Sequence, residues 1–491
     1  MEYIRVEHFL KSKNVLFFLS TCTLLANEKI AFKLNNNSTI TFLETPKEVD
    51  SVVEVLTKGE LYGRFRLNAF SFDWDEEVQG KTRDHQTLGV GGSVHYKSAY
   101  YHGIGVTAGL YTSQNPWHMD DENIQYYKVG KGVLNRHDVA TKNKYGMSNL
   151  AVAYLEFKDE KNSVKIGRQI VESYLTKSND IKMIPNTFEG ITWDSKVVEG
   201  HKLWAGYLVK QKLRDHNEFH HLFAYDDGVG AYDKWRENDD SAMHRGITLS
   251  GLKAKGIQDR LLFMELSNAK REALNYVVSY TLLPQLFSTL GTDVTYRWSS
   301  KEGYILSPSM RYMHQFDHGA GAMGGANLKT NNVDYQNNNS VETDLYGIRF
   351  DVGKENWRIR SGISHIADKA DIISAWRSFP TNGYGYTLLQ YNWYANTTSY
   401  VIQGDYDFKE QKLHAQMRFG IQDFDDGKSG VQADSNELQL DLIKEFKDVE
   451  GLYAKLRMVR VVGDADIVAI DGKKKLNPSY RDIRFEINYL F

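Results

Sequence analysis

The chain has 491 residues and a nearly balanced charge, with 60 basic residues, 63 acidic residues and a formal net charge of −3. This balance argues against a nucleic-acid-binding domain, and the single cysteine excludes an intrachain disulfide framework. Aromatic residues make up 13% of the chain although the mean hydropathy is only −0.50. That combination favours a membrane β-barrel, whose lipid-facing and inward-facing residues alternate and so give a hydrophilic average.

The first residues have the organisation of an export signal. Basic residues precede the short apolar run Val15–Ala26, which predicts a secretory signal peptide over residues 1–26 that is cleaved after export. A buried helix is one alternative, and a lipoprotein cleavage box at Leu19–Cys22 is another. After Ala26 no apolar run reaches the ~18 residues of a membrane-spanning helix. The sequence therefore indicates a secreted, periplasmic or outer-membrane protein.

Residues 27–58 show no strand pattern and are predicted to form a periplasmic extension, whereas residues 59–491 repeat with the period of two that β-strands have. The C-terminal segment, residues 482–491, shows this period of two clearly. Its apolar face consists of Ile483, Phe485, Ile487, Tyr489 and Phe491. The residues between them are polar or charged, apart from Leu490. Most such runs are about 9–12 residues long, the length of a tilted membrane strand.

The connections between these runs fall into two classes. Short polar links are predicted at 97–99, 353–355, 396–397 and 447–448. Long links are predicted at 113–147, 171–186, 214–242, 316–341, 367–385 and 463–479. Short turns at one end and long loops at the other are typical of outer-membrane barrels. The predicted fold is thus all-β: a transmembrane antiparallel barrel of about 18 strands, with short periplasmic turns and long external loops.

Strand phase assigns many charged residues to the inside of this barrel, because an arginine on the lipid face at mid-membrane costs about 2–4 kcal/mol. The predicted inward arginines are Arg64, Arg66, Arg297, Arg311, Arg349, Arg358, Arg360, Arg418, Arg457 and Arg484. The predicted inward acids are Asp293, Asp351, Asp405, Asp407, Glu437, Asp441 and Glu486. Opposing basic and acidic walls can select among charged solutes. Alternatively, they are paired charges that only fill the wall.

The region from Ser163 to Phe219 carries three motifs in a recognisable order. They are Gly167-Arg168-Gln169, then Asn179-Asp180-Ile181-Lys182-Met183-Ile184-Pro185-Asn186-Thr187-Phe188-Glu189-Gly190, then Lys210-Gln211-Lys212. This order resembles the OprD family of outer-membrane porins. Lys182 departs from the arginine usual in that family, which keeps the charge but loses the bidentate fork.

The resemblance implies an 18-stranded barrel, often trimeric, that takes up small carboxylates and basic amino acids along a ladder of arginines. It also implies that residues 171–186 form an inward-folded constriction loop. The loop residues predicted to line the constriction are Ser178, Asn179, Asp180, Lys182 and Asn186. An ordinary external loop is the alternative.

These observations predict a porin of the Gram-negative outer membrane that gives passive, partly selective diffusion of small polar or charged solutes. A barrel-embedded enzyme and a surface adhesin are the alternatives, although no nucleophile motif occurs. No cofactor or metal site is predicted, because His216–His221 has no strong zinc spacing. The predicted partners are small polar or anionic solutes, membrane lipid, lipopolysaccharide, and the assembly machinery through the strand ending at Phe491. No nucleic acid is predicted, and the chain is expected to be a monomer or homotrimer.

Overall fold

The computed structural model of the protein describes residues 32–34, 40–42, 46–119, 133–178, 182–228, 244–270, 272–327, 334–389 and 392–491. The predicted signal peptide lies outside the described residues. Among the described residues, no helix is both long and apolar enough to cross a membrane.

The chain folds into a closed antiparallel barrel of eighteen strands. In chain order the strands are β1 Glu60–Trp74, β2 His85–Lys97, β3 Ile104–His118, β4 Gly146–Lys158, β5 Asn162–Gln169, β6 Thr187–Ser195, β7 His201–Lys212, β8 Leu261–Asn268, β9 Leu274–Leu283, β10 Phe287–Tyr296, β11 Tyr304–Asp317, β12 Thr343–Lys354, β13 Trp357–Ile366, β14 Thr398–Phe408, β15 Leu413–Asp423, β16 Ser435–Glu445, β17 Leu452–Gly463 and β18 Tyr480–Leu490. The two-residue strand Trp298–Ser299 continues β10 along β11.

The barrel closes where β18 pairs with β1, in a register that places Leu490 opposite Arg64. Closure satisfies the backbone N–H and C=O groups of every strand, which a bilayer requires because it offers no water to bond them. Side chains alternate as predicted. On β18 the outward Ile483 and Phe485 are both 41% exposed, whereas the inward Asp482 and Arg484 are buried.

The connections differ strongly between the two ends of the barrel. One end carries the short turns 98–103, 159–161, 196–200, 269–273, 300–303, 355–356, 409–412 and 446–451. The other end carries 75–84, 119–145, 170–186, 213–260, 284–286, 318–342, 367–397, 424–434 and 464–479. The predicted short link at 396–397 is wrong, because these residues end the long connection 367–397. The long loops predicted at 214–242 and 367–385 also end too early.

Several short elements lie outside the barrel wall. The helices are Val52–Thr57, Arg136–Lys142, Leu249–Ala254 and Ala320–Gly324, and the short strand pairs are Phe32–Leu34 with Ile40–Phe42 and Ala224–Tyr225 with His244–Thr248. The first of these helices belongs to a segment that docks on a short turn. There the N–H of Val49 donates to the carbonyl of Tyr100 at 2.8 Å, and the N–H of Ala99 donates to that of Val55 at 3.0 Å.

The buried apolar residues lie inside the barrel, where long loops pack against the wall. The larger cluster joins Leu175 of loop 170–186, Phe223 of loop 213–260 and Trp376 of loop 367–397 to wall residues such as Phe287. A second cluster joins Met183 and other loop residues to the wall of β1, β3, β4, β17 and β18. Burial of apolar area stabilises these inward positions at roughly 25 cal/mol per Å².

Candidate functional site on the inner face of the barrel

A row of arginines lies on the inner face of the wall, near the middle of the barrel. Arg311 on β11, Arg349 on β12, Arg360 on β13 and Arg418 on β15 all have the phase opposite to the exposed apolar residues. We call these four residues the arginine row. Their side chains are mostly buried but keep a small exposed fraction, which is 12% for Arg311, 17% for Arg349 and 18% for Arg360.

Two carboxylates on the same face hold the first three arginines in place. Asp293 on β10 accepts two hydrogen bonds from Arg311, from Nε at 2.7 Å and Nη2 at 2.5 Å. Asp351 is shared, with its oxygens 2.8 Å from Nε of Arg349 and 2.7 Å from Nε of Arg360. Because one carboxylate serves two guanidinium groups, this part of the row keeps an excess positive charge.

The fourth arginine is held by neutral groups. Nε and Nη2 of Arg418 both donate to Oε1 of Gln403, at 2.9 and 2.7 Å. Nearby, Arg358 donates to Asp405 at 2.9 Å, and Asp405 also accepts from Gln416 at 2.7 Å. Arg358 is therefore neutralised by a direct pair. Arg418 bonds to a neutral amide, and it also feels the charge of Glu437 on β16, whose carboxylate accepts hydrogen bonds from the N–H groups of Leu388 and Leu389.

Loop 367–397 folds into the barrel and lays aromatic rings on the arginine row. The ring centre of Tyr384 lies 4.8 Å from the guanidinium of Arg311 and 5.1 Å from that of Arg349. Tyr386 lies 5.6 Å from the guanidinium of Arg418. Such stacking is favourable because the ring face is electronegative. Burial raises the pKa of Tyr384 to about 12, so this residue presents a neutral phenol to the cations.

Inner-face glycines give these rings their space. A Cβ atom at Gly347 would lie 2.8 Å from the ring of Tyr384, and one at Gly362 would lie 2.1 Å from its carbonyl oxygen. A Cβ atom at Gly291 would lie 2.3 Å from the ring of Tyr174. Sequence reasoning missed Tyr384 and Tyr386. Glycines at inward phase beside inward arginines are the signal that could have found them, since they mark a close approach.

Loop 170–186 also folds into the barrel and meets loop 367–397. The ring of Tyr174 lies 5.2 Å from the guanidinium of Arg311, and its hydroxyl donates to Asp293 at 3.3 Å. The backbone N–H of Lys177 donates to the carbonyl of Trp376 at 3.0 Å, which joins the two loops directly.

The predicted constriction residues that the structure describes are buried anchors of this loop. The backbone N–H of Ser178 donates to Glu172 at 2.9 Å, and the N–H of Asn186 donates to the carbonyl of Ser178 at 2.7 Å. The carbonyl of Lys182 accepts a hydrogen bond from Arg66 at 2.6 Å. Asn179 and Asp180 lie outside the described residues.

A second group of predicted arginines lies on a different part of the wall, on β17, β18 and β1, and is more buried. Arg66 pairs with Glu486 at 2.7 Å, Arg457 pairs with Asp441 at 2.6 Å, and Arg484 pairs with Asp482 at 2.6 Å. Arg64 is also buried. The three paired side chains are at most 10% exposed, compared with 12–18% for Arg311, Arg349 and Arg360.

Two further predicted residues lie near the short-turn end. Arg297 interrupts the end of β10 and is exposed. The Asp407 carboxylate is 57% exposed and lies 2.6 Å from Nδ1 of His414. Neither residue contacts the arginine row among the contacts that the structure describes.

The three sequence motifs come together at the loop ends of β5, β6 and β7. Nε of Arg168 donates to Glu189 at 2.9 Å, and Nε2 of Gln169 donates to the carbonyl of Gly190 at 3.3 Å. Nζ of the buried Lys212 donates to the carbonyl of Pro185 at 3.0 Å. The motifs thus build the base from which loop 170–186 enters the barrel.

Metal ligands are not clustered in the described parts of the chain: no group of three or more His, Cys, Asp or Glu side chains there could hold an ion. The rings of His216 and His220 are 4.9 Å apart, but no third ligand joins them within those parts.

Comparisons with known proteins agree with this architecture. Residues 64–347, more than half of the chain, match the family described as outer membrane porin, OprD family. No protein of curated function matches the chain by sequence.

Several solved porins share the fold at low sequence identity. OpdK from Pseudomonas aeruginosa is 15% identical with a TM-score of 0.64, over 88% of this chain and 99% of that chain. OccAB3 from Acinetobacter baumannii is 15% identical with a TM-score of 0.68, over 89% of this chain and 99% of that chain. These proteins are channels rather than enzymes, and the family resides in the bacterial outer membrane. The chain belongs to the OprD family of outer-membrane porins.

Proposed function

We propose that this porin mediates passive diffusion of small anionic solutes, carboxylates above all, past the arginine row. The observation that carries the proposal is the charge balance of the row. Arg349 and Arg360 share Asp351, and Arg418 bonds to a neutral amide. Arg311, Arg349 and Arg360 face only two carboxylates, and an excess of positive charge on one wall attracts anions and raises their local concentration. Loop tyrosines stack on the row and narrow the path, so a solute would pass beside the stacked phenol rings and guanidinium groups.

Carboxylates suit this surface better than other anions of similar size. A guanidinium group binds a carboxylate through two parallel hydrogen bonds, and a neutral phenol can donate a third. One similar structure supports the same chemistry, since OpdK from Pseudomonas aeruginosa has been solved with vanillate, a small aromatic carboxylate. Basic amino acids also carry a carboxylate, and their ammonium groups would face Asp293.

The remaining parts of the proposal concern the ends of the chain and the assembly. Residues 1–26 serve as a cleaved signal peptide, and residues 27–58 form a periplasmic extension. Residues 171–186 act with loop 367–397 as the constriction. The strand that ends at Phe491 serves the outer-membrane assembly machinery, and the working unit is a monomer or a homotrimer.

Liposome swelling tests the proposal directly. Vesicles containing the refolded protein would be diluted into a small carboxylate or into its neutral amide, and the two swelling rates compared. We expect the carboxylate preference to fall about tenfold in R349Q/R360Q, because the doubly substituted row exposes Asp351 without its cations. The matched control is R460Q, since Arg460 pairs with Asp75 on the opposite, outward face of the wall. An unchanged preference in R349Q/R360Q would contradict the proposal.

A further inference from the structure

A charged cavity lies on the outside of the barrel, at the end where the long loops are. It has a volume of about 450 Å³ and is lined by Arg168, Glu189, Lys210, Asn217, Glu218 and Phe219, among others. Arg168 and Lys210 have the same phase as the lipid-facing residues, as the outward Ile166 on β5 shows for Arg168. Charged side chains here lie at the head-group level, where exposure of a basic residue costs only about 0–1 kcal/mol.

The cavity is lined by two cations, Arg168 and Lys210, and by two carboxylates, Glu189 and Glu218. Glu189 serves two cations, with Nε of Arg168 at 2.9 Å and Nζ of Lys210 at 3.6 Å. The Arg168 guanidinium rests on the ring of Phe219, 4.6 Å from its centre. The side chains of Arg168 and Lys210 are 39% and 53% exposed, so both can reach an outside ligand. Such exposed donors suit a phosphate, and the adjoining amide and carboxylate groups suit sugar hydroxyls.

An apolar groove begins directly beneath this cavity on the same strands. It has a volume of about 430 Å³ and is lined by Ile191, Trp193, Ala205, Tyr207, Leu262 and Met264, among others. In the register of β6 and β7, Glu189 faces Lys210, Ile191 faces Tyr207 and Trp193 faces Ala205. Because the side chain of Ala205 is small, a groove remains between the larger side chains around it. The cross-strand pair Glu189–Lys210 of the cavity is about 7 Å along the strands from the pair Ile191–Tyr207 of the groove.

We propose that the cavity and the groove together bind one lipopolysaccharide molecule of the outer leaflet. The phosphorylated sugars of its lipid A part occupy the charged cavity, and one acyl chain lies in the groove. Three features select this occupant over a soluble anion or a second copy of the chain: the charges face the lipid, they lie at the long-loop end that faces the outer leaflet, and the groove continues the lipid-facing surface.

Native mass spectrometry of the full refolded chain in detergent tests the proposal, with hexa-acylated, bisphosphorylated lipid A as the probe. We expect the unmodified protein to bind one copy. Charged hydrogen bonds of this kind typically change affinity by about tenfold or more, so R168Q/K210Q should weaken binding by at least that factor. A205F should also weaken binding, because the new ring fills the groove. Dephosphorylated lipid A should bind the unmodified protein more weakly and should not distinguish R168Q/K210Q from it.

The chain offers a matched control in a second lipid-facing groove. That groove, also about 430 Å³, surrounds Ser361 on β13. Toward the long loops it continues into apolar residues, Ile363 and Tyr400. We expect S361F to bind lipid A like the unmodified protein, and R168Q/K210Q to keep the unmodified conductance, which separates this site from the solute path. The proposal would be overturned if S361F weakened binding equally, or if R168Q/K210Q and A205F both bound lipid A normally. A change in oligomeric mass in place of lipid loss would also overturn it.

Discussion

Individual arginines of the wall differ in environment although their sequence patterns are alike. Strand phase predicts that both Arg349 and Arg457 point inward, and both do. Arg457 forms two hydrogen bonds with Asp441 and is buried, whereas Arg349 shares Asp351 and remains partly exposed. The difference depends on strand register and on which loop covers each arginine. Phase alone determines neither the register nor the covering loop. The sequence therefore predicted which arginines point inward, but not which of them are buried in ion pairs.

Asp434, in loop 424–434, is a residue whose charge opposes folding. Its carboxylate accepts a hydrogen bond from the N–H of Phe424 at 2.7 Å. Burial raises the pKa of Asp434 to about 6, and nearby acids reinforce this rise. Because the folded pKa exceeds the unfolded one, stability falls as the pH rises from about 4 through 6. We expect D434N to raise the Tm in detergent at neutral pH, and this gain to disappear near pH ~4.

Asp425, in the same loop, provides a control of opposite sign. Burial alone would raise the pKa of Asp425, but hydrogen bonds from Lys428 at 2.7 Å and Asn396 at 3.0 Å outweigh burial and lower it. Its ionised form therefore supports the fold at pH values above its unfolded pKa. D425N should lower the Tm at neutral pH. Changes of the same sign in D434N and D425N, measured by thermal scans, would show that the two environments are misassigned.

At the level of elements, loop 367–397 is where sequence reasoning failed most. The links predicted at 367–385 and 396–397 imply a strand between them, which would include Trp393. In the structure Trp393 is partly buried against the larger apolar cluster inside the barrel. A loop that folds inward meets the wall with one apolar side, so it can imitate the period of a strand.

The position of this loop leads to a prediction about conductance. In G347V the new side chain would overlap the ring of Tyr384, because a Cβ atom alone would lie 2.8 Å from that ring. We expect the loop to move off the arginine row and the single-channel conductance to rise. G404V is the matched control, since a Cβ atom at Gly404 has nothing within 4 Å. Identical conductance in G347V and the unmodified protein would mean that loop 367–397 does not narrow the path.

For the whole molecule, the barrel class could be predicted because each strand repeats the same local pattern. The lipid phase of β18, the inward charges and the two classes of connection are all local features of the sequence. Closure is not local: the seam between β18 and β1 joins residues more than four hundred positions apart in the chain, as the Arg66–Glu486 pair shows. Strand number was therefore predicted only approximately without the family resemblance.

The seam itself can be tested through the last residue. The N–H of Gly63 donates to the carbonyl of Phe491 at 2.8 Å, and a Cβ atom at Gly63 would lie 2.3 Å from the Phe491 ring. We expect G63V to reduce the folded fraction, seen as loss of the heat-modifiable band on denaturing gels. The double variant G63V/F491A should recover part of it, because the clashing ring is gone. Equal losses in the single and double variants would argue against this steric account.

A closed barrel whose arginine row favours anions should behave as an anion-preferring pore. The most direct test is single-channel recording of the refolded protein in a planar bilayer, with the reversal potential measured under a salt gradient. We expect stepwise openings and a reversal potential of the sign that anion preference gives. Folded protein that never opens, or a reversal potential of the opposite sign, would contradict this expectation.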